Sequence, residues 1–173
     1  MIYEIPENDA KFIVNRYHTA YPGVRKFQEA IRTQLEKNRT IENCYGRKRM
    51  FMDRWADPMF KEAYSFIPQS TVADKINEDG LLYIYNNQDL FKYVEILNQV
   101  HDSVVFQIPI DVGWDYHYEV IMRIKQSLES KIEYNGIKFS IPIDCEMGLN
   151  MKDTIEMNLT TNTLSETYEE LNG

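Results

Sequence analysis

A chain of 173 residues with 43% hydrophobic content can bury one sizeable core, and no Pro/Gly/Ser-rich linker divides it. It opens with no signal-peptide pattern, contains no apolar run near the roughly 18 residues of a membrane span, and keeps Cys44 and Cys145 far apart, which together exclude a disulfide framework and predict an intracellular protein with free thiols and no membrane partner. The net charge of −8 argues against a nucleic-acid binder, yet residues 1–75 hold 13 Lys/Arg against 10 Asp/Glu while residues 76–173 hold 6 against 17, so a basic first part could face phosphates and an acidic second part could hold metal ions.

Pro6 suits the first turn of a helix, and Ala10, Phe12, Ile13, Tyr17 and Tyr21 recur at helical spacing until Pro22-Gly23 stops the pattern. A second helix is predicted over about 24–37, with Phe27, Ile31, Gln34 and Leu35 inward. Residues 40–51 read as a hairpin around Tyr45-Gly46, and Asp57-Pro58 starts a helix to about Asn77 that should bend at Pro68. Residues 81–85 read as a short strand or buried turn, and 88–93 as a connector. Trp114 to Lys131 is predicted as a helix with Val120, Ile121, Ile124 and Leu128 inward, and 137–145 as a strand. The acidic residues 158–173 show little periodicity and are predicted to be a disordered tail.

Between these elements, Val94, Ile96, Val100, Val104 and Phe106 favour extended backbone on either side of His101-Asp102-Ser103. The simplest geometry is a tight hairpin with Asp102 at its tip. A carboxylate among apolar strands is costly without a partner, so Asp102 is a metal ligand, one half of an ion pair, or a turn residue facing solvent.

Gln99-Val100-His101-Asp102-Ser103 between hydrophobic strands resembles motif C of the family A DNA polymerases, the group that includes bacterial DNA polymerase I and many phage replicative enzymes. The motif there usually reads Val-His-Asp-Glu, so Ser103 removes one acidic group. Further segments resemble the family in the same order. Tyr21-Pro22-Gly23-Val24 is similar to its Tyr-Pro-Gly-Val helix junction, and Gly46-Arg47-Lys48-Arg49 to its Gly-Arg-Arg-Arg hairpin. Pro68-Gln69-Ser70-Thr71-Val72-Ala73-Asp74 is similar to its Pro-x-Gln-Gly-Thr-Ala-Ala-Asp helix, with Ser70 in place of Gly. Ile141-Pro142 through Gly148-Leu149-Asn150-Met151 is similar to its closing strand and Gly-x-Asn-Trp, with Met151 in place of Trp. The resemblance spans about residues 4–152.

That resemblance implies a DNA-directed DNA polymerase that extends a primer-template with deoxynucleoside triphosphates, using two Mg²⁺ ions. Asp102 would bind metal, and His101 would lie beside the primer terminus and help position Asp102 by hydrogen bonding. Motif A, which supplies the other carboxylate, and the fingers helix of motif B, which grips the triphosphate, have no counterpart in the sequence. Asp115-Tyr116-His117-Tyr118-Glu119 is not motif A: its Glu falls one position early and it opens a helical pattern, where Asp115 is a cap or first-turn acid. The expectation is therefore a C-terminal portion of a split or truncated polymerase, inactive alone and dependent on a companion chain carrying motifs A and B.

Lys61, Ser65 and Gln69 stand at i, i+4 and i+8, on one face of the predicted helix. Their family counterparts contact the minor groove, and a Gln amide can donate to the N3 and O2 acceptors that every correct base pair presents there. Arg47, Lys48 and Arg49 form a basic turn able to meet phosphates, each contact adding about 0.9 to the salt slope of binding. The predicted fold is α+β: an antiparallel palm-type sheet with the motif C hairpin packed on several helices, over residues 1–157, followed by the tail at 158–173. The competing reading, motivated by Ser103, Met151 and the missing motif A, is a non-catalytic DNA-binding or assembly remnant of a polymerase.

Overall fold

In the computed structural model, residues 5–173 are described, and the chain forms two compact units, Met1–Pro68 and Gln69–Gly173. The first four residues of the predicted polymerase portion lie outside the described residues.

The first unit begins with α1 (Glu7–Ala20) and α2 (Pro22–Asn38). Pro22 occupies the first turn of α2, where its missing N–H costs nothing. Of the predicted inner face of α2, Ile31 and Leu35 are fully buried and Phe27 and Gln34 partly so. By contrast, α1 buries none of its residues, and Phe12, Ile13, Val14 and Tyr17 remain exposed. Arg39 ends α2 in the left-handed region at φ 55° and turns the chain into β1 (Thr40–Glu42), which pairs antiparallel with β2 (Lys48–Met50). Phe51, just after β2, meets Phe66 edge to face at 6.1 Å in the core of this unit.

Helix α3 (Asp57–Lys75) carries Pro68 in its interior, and the division between the two units falls there. The sequence predicts a helix that bends at this proline and runs past it to about Asn77, and the helix does run past it, to Lys75. Beyond Lys75 the chain widens into a π-helical turn, Ile76–Leu81, and then returns to α-helix in α4 (Leu82–Asn86). The predicted strand or turn at 81–85 is therefore corrected to helix: Ile84 reaches full burial from a helical face continuous with the turn before it.

The second unit has a core of Ile76, Ile84, Phe91, Val94, Val120, Ile124 and Leu128, with Val104 and Phe106 packed against it. β3 (Glu95–Val100) and β4 (Ser103–Gln107) form an antiparallel ribbon with a register shift between Ile96 and Asn98. Helix α5 (Trp114–Leu128) buries all four residues predicted to face inward, and Asp115 sits in its first turn as expected.

The predicted strand at 137–145 is shorter than its sequence suggests. β6 (Ile137–Phe139) pairs back onto β5 (Ile132–Tyr134) through Asn135-Gly136, both at positive φ, 51° and 78°. Two such residues in succession make the turn that matches strand twist, and Asn-Gly is its strongest signal. Pro142 cannot donate to a ladder, so 141–145 runs as unpaired chain. It is held instead by α5: Lys125 Nζ donates to the Ile143 carbonyl oxygen at 2.6 Å and the Ile143 N–H donates to Glu129 Oε1 at 3.1 Å.

A last ribbon joins β7 (Glu146–Gly148) to β8 (Thr154–Glu156). A Cβ on Gly148 would fall 2.6 Å from the carbonyl oxygens of Asn150 and Asp153, so this turn accepts only glycine. The segment 158–173, expected to be disordered, holds α6 (Thr161–Asn172): Thr160 caps it by accepting from the Thr163 N–H, and Leu164 is fully buried. A burial face of only Leu164 and Thr167 in twelve residues leaves almost no periodicity to read.

The class is thus α+β, with small antiparallel sheets and several helices. Where one sheet was expected, the described residues form four separate two-stranded ribbons. No helix among them is long and apolar enough to cross a membrane.

Candidate polymerase motif C hairpin

The β3–β4 ribbon narrows to a two-residue turn, because Ser103 already pairs with Val100 as the first residue of β4. The predicted three-residue tip is one residue too long. His101 takes φ 51°, an uncommon conformation for a residue with a side chain, and this lets the chain reverse within two residues. Ser103 Oγ donates to the Val100 carbonyl oxygen at 2.9 Å and closes the turn from below. Val104, Val105 and Phe106 are half-buried, so one strand of the ribbon is anchored while its apex projects.

Asp102 is exposed at that apex. No described residue forms an ion pair or side-chain hydrogen bond with its carboxylate, which leaves it a solvent-facing turn residue open to an external cation. The His101 ring is also exposed and makes no hydrogen bond to Asp102 among the described residues, contrary to expectation; the two are linked through the backbone of the turn alone. Among the described residues no group of three or more His, Cys, Asp or Glu converges as a metal site, so Asp102 supplies carboxylate oxygen but no cage.

The residues predicted to meet DNA divide between the units. Lys61 and Ser65 lie in the first, Gln69 opens the second, and all three belong to α3. Lys61 and Gln69 are exposed. Ser65 is half-buried, and its Oγ donates to the Glu62 carbonyl oxygen at 3.0 Å, a bond within its own helix that competes with any contact to a base.

Arg47 lies in the β1–β2 loop, its backbone N–H donating to Asn43 Oδ1 at 2.9 Å. Lys48 and Arg49 belong to β2, not to the turn as predicted. Each has an acidic neighbour the sequence did not point to: Lys48 Nζ is 3.4 Å from Glu42 Oε2, and an Arg49 guanidinium nitrogen is 2.6 Å from Glu62 Oε2. Arg49 also lies over the Phe51 ring, 4.7 Å from its centroid. Strand register alone brings Glu42 opposite Lys48, a pairing legible once the hairpin turn is fixed.

Cys145 provides no second chemistry. Burial pushes the Cys145 thiol up, which keeps it protonated and a poor nucleophile.

The structure thus places the Asp102 carboxylate at the apex of an antiparallel two-stranded ribbon whose second strand packs on a helical core. The profile of DNA polymerase family A matches residues 2–153, and the chain belongs to that family. It is similar to DNA polymerase I of Deinococcus radiodurans, 26% identical over 155 residues that make up 83% of this chain and 14% of that protein. The chain thus corresponds to about one seventh of the length of that relative.

Proposed function

We propose that this chain carries the motif C part of the polymerase domain of a DNA-directed DNA polymerase, which adds deoxynucleotides to a primer-template. The observation that supports this most is the exposed, unpartnered Asp102 carboxylate at the apex of an anchored ribbon, in a member of this family. In this reading β3 and β4 are two strands of a palm-type sheet.

Mg²⁺ takes oxygen ligands in octahedral geometry and keeps several waters, so it needs few protein donors. Asp102 fits that demand as one ligand. Ser103 adds no second carboxylate, since its side chain is a neutral hydroxyl that donates to the Val100 carbonyl. The remaining carboxylate and the triphosphate grip come from a companion polypeptide bearing motifs A and B. Mg²⁺ held there would supply Lewis-acid activation of the primer hydroxyl and charge neutralisation of the leaving pyrophosphate, with Asp102 as the ligand this chain contributes.

The chain's own residues hold and read the duplex. Gln69 donates its amide hydrogens to minor-groove acceptors, and Lys61 and, once drawn from its partner within the protein, Arg47 meet phosphate oxygens. Lys48 and Arg49 can do so only by leaving Glu42 and Glu62. His101 flanks the primer terminus through its fixed place in the turn.

The test is primer extension by this chain co-produced with a polypeptide carrying motifs A and B, comparing the natural sequence with Asp102→Ala. Extension abolished in the variant supports the proposal, and extension that survives refutes it. A second reading, a remnant that binds DNA without catalysis, is favoured by the internal hydrogen bond of Ser103; absence of extension in both assembled forms, with DNA still bound, supports that one. Extension by the isolated chain with Mg²⁺ would remove the companion from the scheme.

A further inference from the structure

Lys75, at the end of α3, is only 3% exposed, yet it is cationic and lies outside every motif described above. Its Nζ donates to Asp79 Oδ2 at 2.8 Å, to the Ser130 carbonyl oxygen at 2.9 Å and to Ser130 Oγ at 2.9 Å, using all three of its hydrogens. Asp79 is held twice more, its Oδ2 by Ser130 Oγ at 3.1 Å and its carbonyl oxygen by Ser127 Oγ at 2.6 Å. Asp79 lies inside the π-helical turn 76–81, and Ser127 and Ser130 lie at the C-terminal end of α5. A π-helical turn is rare and is not self-sustaining; here it is tied at one point from three directions.

The residue after Asp79 shows what this fixing achieves. Gly80 is buried, and a Cβ built on it would lie 3.1 Å from Leu128 Cδ2 and 3.4 Å from Val104 Cγ2. The backbone of the turn therefore sits directly against β4, at a residue paired with Gln99 and two positions from Asp102. An ordinary helical turn would rotate Gly80 away and bring a side chain to the same place.

We propose that Lys75 is a positioning residue: with Asp79, Ser127 and Ser130 it locks the π-helical turn in the register that seats Gly80 against Val104, and so fixes the attitude of the hairpin that carries Asp102. The inference deepens the polymerase reading, but its first test does not depend on it. Amide hydrogen exchange of the whole chain is followed residue by residue in the natural sequence, in Ser127→Ala, which removes a single half-buried hydroxyl, and in Lys75→Met/Asp79→Asn, which removes both charges together.

The expected result is that amide protection in β3 and β4 falls by about tenfold or more in both variants, while that of the α5 interior around Val120 and Ile124 changes by less than about twofold. Protection that falls uniformly across the second unit, or a ribbon that keeps its protection in Ser127→Ala, overturns the proposal. If the double variant does not fold, Ser127→Ala decides alone. In the assembled polymerase the same variants should lower kcat for extension and leave the Kd for primer-template within about twofold. Ribbon loosening without any polymerase activity in the natural sequence would sink the enzymatic reading and leave the mechanical one standing.

Discussion

The Ser103 hydroxyl donates to the carbonyl oxygen of Val100 across the neck of the turn, at 2.9 Å, from the position where the motif usually carries a glutamate. Here the side chain closes the hairpin and brings no second carboxylate beside Asp102. Ser103→Glu should reverse that trade. It gives up a hydrogen bond of about 0.5–1.5 kcal/mol and places a second carboxylate beside Asp102. Mn²⁺ titration followed by relaxation of the hairpin resonances should show tighter binding by about tenfold than in the natural sequence, and no gain in Ser103→Gln. An equal gain in both would mean that the turn, not the charge, governs affinity.

Arg49 and Glu62 form an exposed ion pair that is worth at most about 1 kcal/mol to the fold. Glu62→Gln should therefore leave stability nearly unchanged and release Arg49 for phosphate. Binding of duplex primer-template should tighten at low salt, with the slope of log K against log salt steeper by about 0.9. In Arg49→Ala the added Glu62→Gln change should do nothing. A slope unaffected in the single variant would take Arg49 off the duplex.

Glu129 is held below the usual carboxylate range, chiefly by the hydrogen bond from Lys125 and then by the Ile143 N–H. A depressed folded value means that the unfolded chain binds the proton first, so the stabilisation is complete above the ordinary value of 4.5 and is lost as pH falls through the lower folded value. Urea unfolding at pH 7 and pH 3 should show a smaller acid loss for Glu129→Gln than for the natural sequence. Identical acid limbs would show that the clamp on Ile143 survives protonation.

Leu164 on α6 is fully buried, and Leu164→Ala should cost about 2–5 kcal/mol if the helix is packed as described. A change below about 0.5 kcal/mol in chemical denaturation would return the C-terminal segment to the disordered state expected from its composition.

Much of this architecture can be read from residue order, and the places where it cannot share a cause. Helices α2 and α5 announce themselves because their buried residues repeat at 3.6, and the ribbon around Asp102 does so because β-branched residues flank a short polar break. α4 does not: five residues following a π-helical turn are too few to carry a period. The strand predicted at 137–145 stops at Phe139 because Pro142 has no N–H to give to a ladder. α6 was missed because one buried leucine among acidic residues looks like composition alone. At the hairpin, the place of Asp102 in the turn is legible, but the partners of Lys48 and Arg49 depend on strand register and on a helix 13 residues away, and the network around Lys75 joins residues 55 apart.

Among the described residues β3 is bonded to β4 and to nothing else, with Ile96, Leu97 and Val100 on show. Such a ribbon has two vacant rails, each ready to accept whichever extended peptide reaches it first. In a concentrated preparation that peptide would be another copy of the same ribbon, and stacking of copies would consume the material before any catalytic assay began. Low protein concentration, or a charged substitution such as Leu97→Lys on the exposed edge strand, is therefore the route by which unaggregated material should be obtained.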